Sequence, residues 1–202
     1  MSGIKVPEGS MAVRGRKQRG QSLVEFAISS TVLLLLAMGL IDLSRAFYFS
    51  VAMQGAAREG ARHAAWFDTA RRANLFLQDS EIQSTVQLAL TGAGFTNAQV
   101  TFIGTNGCLV PTDGNGSGDK PYPQSFYPTT PQTVYVYACY TTPTGTTYGT
   151  LTSPPQDNSW RLGDINVMVL MDFQLITPFI QGIFGNTIDI AYNAHFTIQG
   201  KP

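Results

Sequence analysis

The first third of the chain and the remainder carry different hydrophobic patterns. Residues 23–40 hold one charge, Glu25, and the core stretch TVLLLLAMGLI, residues 31–41, holds none. Eighteen residues of this kind is close to the minimum that crosses a hydrocarbon core as a helix. Residues 44–66, SRAFYFSVAMQGAAREGARHAAW, contain no proline and are rich in alanine. Small residues recur there every fourth position: Ala52, Ala56, Gly60 and Ala64 form one row, and Ala57, Ala61 and Ala65 another. Rows at that spacing make a smooth ridge that lets another helix approach closely. A helix running over 21–66 would extend roughly 69 Å, about twice a bilayer core. Its outer half must therefore pack against something.

Further along, Asp79 and Ser80 can cap a second, shorter helix, EIQSTVQLALTGAG, which glycine ends near residue 92. The pattern then turns to strands. AQVTFIG is one candidate, and TVYVYACYT and DINVMVLMDFQL follow. Thr177 and Pro178 open a short helix that Gly185 closes. Over 187–198 the alternation is strict, with Ile188, Ile190, Tyr192, Ala194, Phe196 and Ile198 on one face. That is the signature of a half-buried antiparallel strand. The expected fold is α+β: a long N-terminal helix, half membrane-spanning and half protruding, packed against a small antiparallel sheet. The expected organisation is a basic segment 1–20, the helix 21–66, and a globular domain 67–202 with loop-rich stretches at 105–132 and 141–159.

Charge sets the topology. Lys5, Arg14, Arg16, Lys17 and Arg19 stand before the apolar run, with Glu8 the only acid among the first twenty residues. The bias toward basic residues on the inner side of a membrane places the N-terminus in the cytoplasm and the C-terminal domain outside. Without that segment the chain has 8 basic and 12 acidic residues. No basic patch survives, which argues against a nucleic-acid partner. Three readings of the N-terminus stay open on these grounds: a cleaved secretory signal, an uncut single-span anchor, and a leader cut on the cytoplasmic side before the apolar run.

Candidate chemistry is sparse. Cys108 and Cys139 lie in no zinc-type spacing. If the C-terminal half is exported, a Cys108–Cys139 disulfide is the leading reading, and two buried thiols are the alternative. In DGNGSGDKPYPQ, Asp113, Asn115, Ser117 and Gly118 follow the spacing of a calcium loop's first ligands and turn glycine, and Asp119 could add a carboxylate. Gln124 stands where such a loop ends in an acid, so a plain turn is the simpler reading and no cofactor is required. The same loop holds a formal glycosylation sequon at Asn115. The aromatic residues Tyr122, Phe126, Tyr127, Tyr135, Tyr137, Tyr140, Tyr148 and Trp160 could stack on sugars or form core. His63 follows Glu59 by four residues, a simple helical pair, and His195 has no evident partner. No hydrolase, metalloprotease or phosphate-loop motif occurs, and the expectation is that the chain is not an enzyme.

Gly20 followed by Gln21-Ser22-Leu23-Val24-Glu25 resembles the cleavage site of type IV prepilins: a basic leader, a terminal Gly, and Glu as the fifth mature residue. The wider stretch RGQSLVEFAISSTVLLLLAMGLIDLSRAFYFSVAMQGAAREGARHAA resembles the N-terminal region of TadE-like proteins, pilin-like components of tight-adherence (Flp) pilus systems. The tail INVMVLMDFQLITPFIQGIFGNTIDIAYNAHF is similar to that family's C-terminal strand–turn–strand. Gln21 departs from the N-methylated Phe of many type IV pilins. The resemblance implies a lollipop-shaped subunit, processed between Gly20 and Gln21 by a prepilin peptidase. It also implies passage through membrane lipid and assembly, by the inner-membrane pilus machinery, with copies of itself or related pilins. Glu25 would then pair with the new ammonium of a neighbouring subunit; from its position alone it could equally snorkel to the bilayer interface. The competing function is an uncut, membrane-anchored module that binds a surface or glycan.

Overall fold

The computed structural model describes residues 18–104, 108, 122–155 and 157–200. Helix α1 runs without interruption over Gln18–Ala64, 47 residues. It passes straight through Gly20, where the expected helix begins one residue later. The chain divides into two compact units, Met1–Ile41 and Asp42–Pro202. The division falls inside α1 and not after Trp66, where the sequence pattern put it. The reason is packing: the second half of α1 is core material of the C-terminal unit.

In that unit α2, Asp79–Gly92, is followed by β1, Val100–Phe102, and β2, Val134–Thr141. Then come β3, Thr147–Tyr148, β4, Asp164–Gln174, α3, Pro178–Phe184, and β5, Thr187–Thr197. The sheet order is β1-β2-β4-β5, with β3 also paired to β2. The pairs β2–β3, β2–β4 and β4–β5 are antiparallel, but β1 pairs parallel to β2, Val100 opposite Val134. The sheet is therefore mixed, where an antiparallel one was expected. Alternation along a strand is blind to the direction of its neighbour, so this difference was not legible in the pattern.

β4 is buried on both faces, which explains its nearly continuous apolar run. Ile165, Val167, Val169, Met171 and Phe173 meet α1 and α2 in the larger core, with Val134, Val136, Ala138 and Tyr140 from β2. Met168 and Leu170 point the other way, into a smaller core with Tyr127, Tyr137 and Cys139. The Cys108–Cys139 disulfide is formed and lies at this second core. Asp79 does not cap its own helix. Its carboxylate accepts from the Tyr140 hydroxyl at 2.6 Å and the Leu151 N–H at 3.1 Å, tying α2 to β2 and the following loop. Burial, reinforced by that bond to Asp79, raises the Tyr140 hydroxyl pKa.

Candidate assembly site

The N-terminal unit presents its apolar side chains outward. An 18-residue window of α1 satisfies length and composition for crossing a membrane, and none of it is buried within the protein. Leu23, Phe26, Ile28, Leu33, Leu36 and Leu40 are all strongly exposed. Two hydroxyls in this stretch bond back to the helix backbone. The Ser30 and Thr31 hydroxyls donate to the Ala27 carbonyl at 3.0 and 2.9 Å, which removes their demand for water. Gln21 and Glu25 are brought together: the Gln21 amide donates to Glu25 Oε1 at 3.3 Å, one helical turn away. Gly20 has open space around its Cα, with nothing within 4 Å of where a Cβ would stand.

The C-terminal unit begins with a buried carboxylate. Asp42 is only 2 % exposed, and an unpaired charge in that position would be costly. It is saturated instead. Asp42 Oδ2 accepts the Thr177 N–H at 2.8 Å, Oδ1 accepts the Ile176 N–H at 3.0 Å, and Arg45 lies 3.3 Å away. Burial pushes its pKa upward, but the hydrogen bonds from Thr177 and Ile176 and the Arg45 charge outweigh it, so the group lies below its ordinary value. Arg45 in turn stacks over the Phe173 ring at 5.1 Å. Asp42 and Arg45 stand three residues apart, a helical pair by spacing alone, but that pair is only part of the arrangement. The donors that hold it, the Thr177 side chain and the Ile176 and Thr177 N–H groups, come from a turn more than 130 residues downstream, and nothing local signals them.

The small-residue rows are occupied inside the chain. Ala56, Ala57, Ala61, Ala64 and Ala65 are buried in the larger core, while Ala52 is half-buried at its margin. A Cβ on Gly60 would lie 2.5 Å from Val86 Cγ2 and 3.7 Å from Ile82, both on α2, and 3.6 Å from Val167 of β4. The ridge admits a close helix as its spacing suggests, but that helix is α2 of the same chain, with β4 beside it. It is not a free face for a second copy. The face of α1 that stays open in this unit is the opposite one, carrying Leu43, Phe47 and Val51 at successive turns.

Other sequence candidates resolve differently. Glu59 pairs with Arg62, and His63 Nε2 faces Glu81 Oε2 at 3.4 Å with its ring on Phe76. His63 thus keeps its expected place beside Glu59, whose pKa its charge helps to lower after the larger effect of Arg62, and adds a contact between α1 and α2. His195 does have a partner: its Nδ1 lies 2.7 Å from Asp164 Oδ2 on the neighbouring strand. Tyr127, Tyr137 and Tyr140 are buried, and Tyr148 and Trp160 stack on each other with centroids 5.4 Å apart. Most of the aromatic cluster is core, holding the Tyr122–Tyr127 region on the second face of the sheet. Asp113, Asn115, Ser117 and Asp119 lie outside the described residues, as does the leader up to residue 17. Among the described residues no group of three or more His, Cys, Asp or Glu is placed to hold a metal.

Fold and site together give an α+β domain whose first helix continues into an uncovered apolar segment long enough to cross a membrane. The family model described as TadE-like protein matches residues 20–62 of that helix. The match begins at Gly20 and ends within the last turn of α1. No curated protein and no solved structure matches the chain.

Proposed function

We propose that the chain is a structural pilus subunit, inserted with its basic N-terminus in the cytoplasm, cut by a prepilin peptidase between Gly20 and Gln21, and assembled through α1. One observation carries this reading. The apolar half of α1 is wholly uncovered and holds a single carboxylate, Glu25, one turn from the proposed new terminus. An uncovered apolar helix needs lipid before assembly and neighbouring helices after it.

Within this reading Glu25 sets register. Its in-chain contact, the neutral Gln21 amide, satisfies only part of a carboxylate's hydrogen-bonding capacity. The ammonium freed by cleavage on an adjacent subunit supplies the charge partner. In an apolar bundle a misaligned neighbour would strand both charges, at roughly 3–5 kcal/mol for a buried pair with one member removed. Leu43, Phe47 and Val51 extend the contact surface outward along α1, since the small-residue ridge is already occupied.

The mass and N-terminal sequence of the protein from its native membrane or surface fraction test the proposal. A start at Gln21 supports it. An intact leader overturns processing and favours the anchored binding module; a start near residue 40 means ordinary secretion.

A further inference from the structure

Apart from the open face of α1, exposed apolar side chains elsewhere on the C-terminal unit are scattered, as on most proteins. The turn between β4 and β5 is different. Ile176, Phe179, Ile183 and Phe184 are each more than half exposed, and Ile188 at the start of β5 is also exposed. Residues 173–188 contain no charged side chain. α3 is held by its other side: Ile180 packs on the larger core, and the Gln181 amide donates to the Leu175 carbonyl at 2.7 Å. The uncovered face is therefore presented by a turn that is firmly attached.

Its level along α1 is set by Asp42. That carboxylate takes the N–H groups of Ile176 and Thr177, and in the sequence it directly follows Ile41, the last residue of the apolar run. The turn thus begins at the first polar residue beyond the membrane segment. We infer that the exposed face of α3 lies in the lipid headgroup–acyl boundary of the outer leaflet before assembly, as a second membrane contact of the chain. A short, uncharged element with Phe and Ile on one side suits that boundary, where apolar side chains sink a few ångströms and backbone ends remain hydrated. A protein partner is the weaker occupant: the patch offers no charge to orient one, whereas the residue that holds the turn, Asp42, follows the apolar run directly in the chain. The inference rests on the reading that the apolar half of α1 crosses a membrane.

The test uses the full chain in vesicles of phosphatidylethanolamine and phosphatidylglycerol. Both native cysteines are consumed in the disulfide, so one introduced thiol can be nitroxide-labelled at a time: Phe184→Cys on α3, Val32→Cys in the span, and Thr144→Cys in an exposed turn. Collisions with oxygen, which partitions into lipid, are compared with those of a water-soluble nickel chelate. The expected result is oxygen preference at positions 32 and 184 and chelate preference at 144. Oxygen preference at 32 with chelate preference at 184 overturns the inference and leaves the span intact. Shielding of 184 from both reagents also overturns it, in favour of a protein neighbour. Chelate preference at 32 removes the spanning reading itself.

Discussion

Asp42 and Thr177, 135 residues apart in the chain, meet in a buried bond of 2.8 Å from backbone N–H to carboxylate. The contact ties the start of the C-terminal unit to the turn that joins its two longest strands. It converts one residue of α1 into the anchor for α3.

Replacing that carboxylate should therefore cost stability well beyond a surface pair. Asp42→Ala leaves two backbone donors without their acceptor and strands Arg45, for an expected loss of roughly 2–4 kcal/mol. Denaturant unfolding of the detergent-solubilised chain measures it. A loss within about 0.5 kcal/mol, the usual range for surface positions, would mean the tether is dispensable.

The same group gives a pH signature with a defined sign. Its folded pKa lies below the ordinary value of 3.8, so its contribution is fully present above the ordinary carboxylate range and declines as pH falls through the folded value. Asp42→Asn should flatten the acid limb of the stability curve below about pH 4 relative to the native chain. Parallel curves for the two proteins would assign acid lability to other groups.

Gly60→Leu should act on folding before it acts on assembly. Even a Cβ meets Val86 at 2.5 Å, and a larger side chain must separate α1 from α2 and β4. Overpacking of this kind costs at least about 2 kcal/mol, read as a lowered Tm. Native stability combined with lost assembly would instead return the ridge to the subunit interface.

Phe47 offers the converse experiment. It is 70 % exposed on the open face of α1, so Phe47→Asp should leave unfolding within about 0.5 kcal/mol of native and abolish recovery of filaments from sheared surface material. Glu25→Ala should likewise preserve insertion and reduce assembly. Normal filament yields from either variant count against α1 as the assembly surface.

Disulfide reduction should weaken the second face of the sheet. Cys108 and Cys139 close a loop with a sequence separation of 31, worth roughly 3–4 kcal/mol by chain entropy. The paired Cys108→Ala, Cys139→Ala variant should lower the unfolding free energy obtained from urea titration by about that amount, and reductant should then have no further effect.

The sequence by itself determined the elements. The unbroken apolar and alanine-rich run specified α1, because helix geometry depends on neighbours three and four residues apart. Pro178 and Gly185 bracketed α3, since proline fits the first turn and glycine accepts the φ of 90° found at the end. Strict alternation located β5, and Gly20, Gln21 and Glu25 stood out because a carboxylate so near an apolar run demands a reason. What the tertiary structure alone decided was partnership. Spacing could say that Ala56, Gly60 and Ala64 admit a close neighbour, but not that the neighbours are α2 and β4. Alternation could place β1, but not its parallel alignment with β2. The tyrosines could serve core or ligand until the second face of the sheet enclosed Tyr127 and Tyr137. Asp42 looked like half of a helical ion pair, because the Ile176 and Thr177 amides that complete its shell are backbone groups any sequence possesses. Local patterns encode periodicity and local strain; the donor, face or strand that arrives from a hundred residues away is selected only when the whole chain closes on one core.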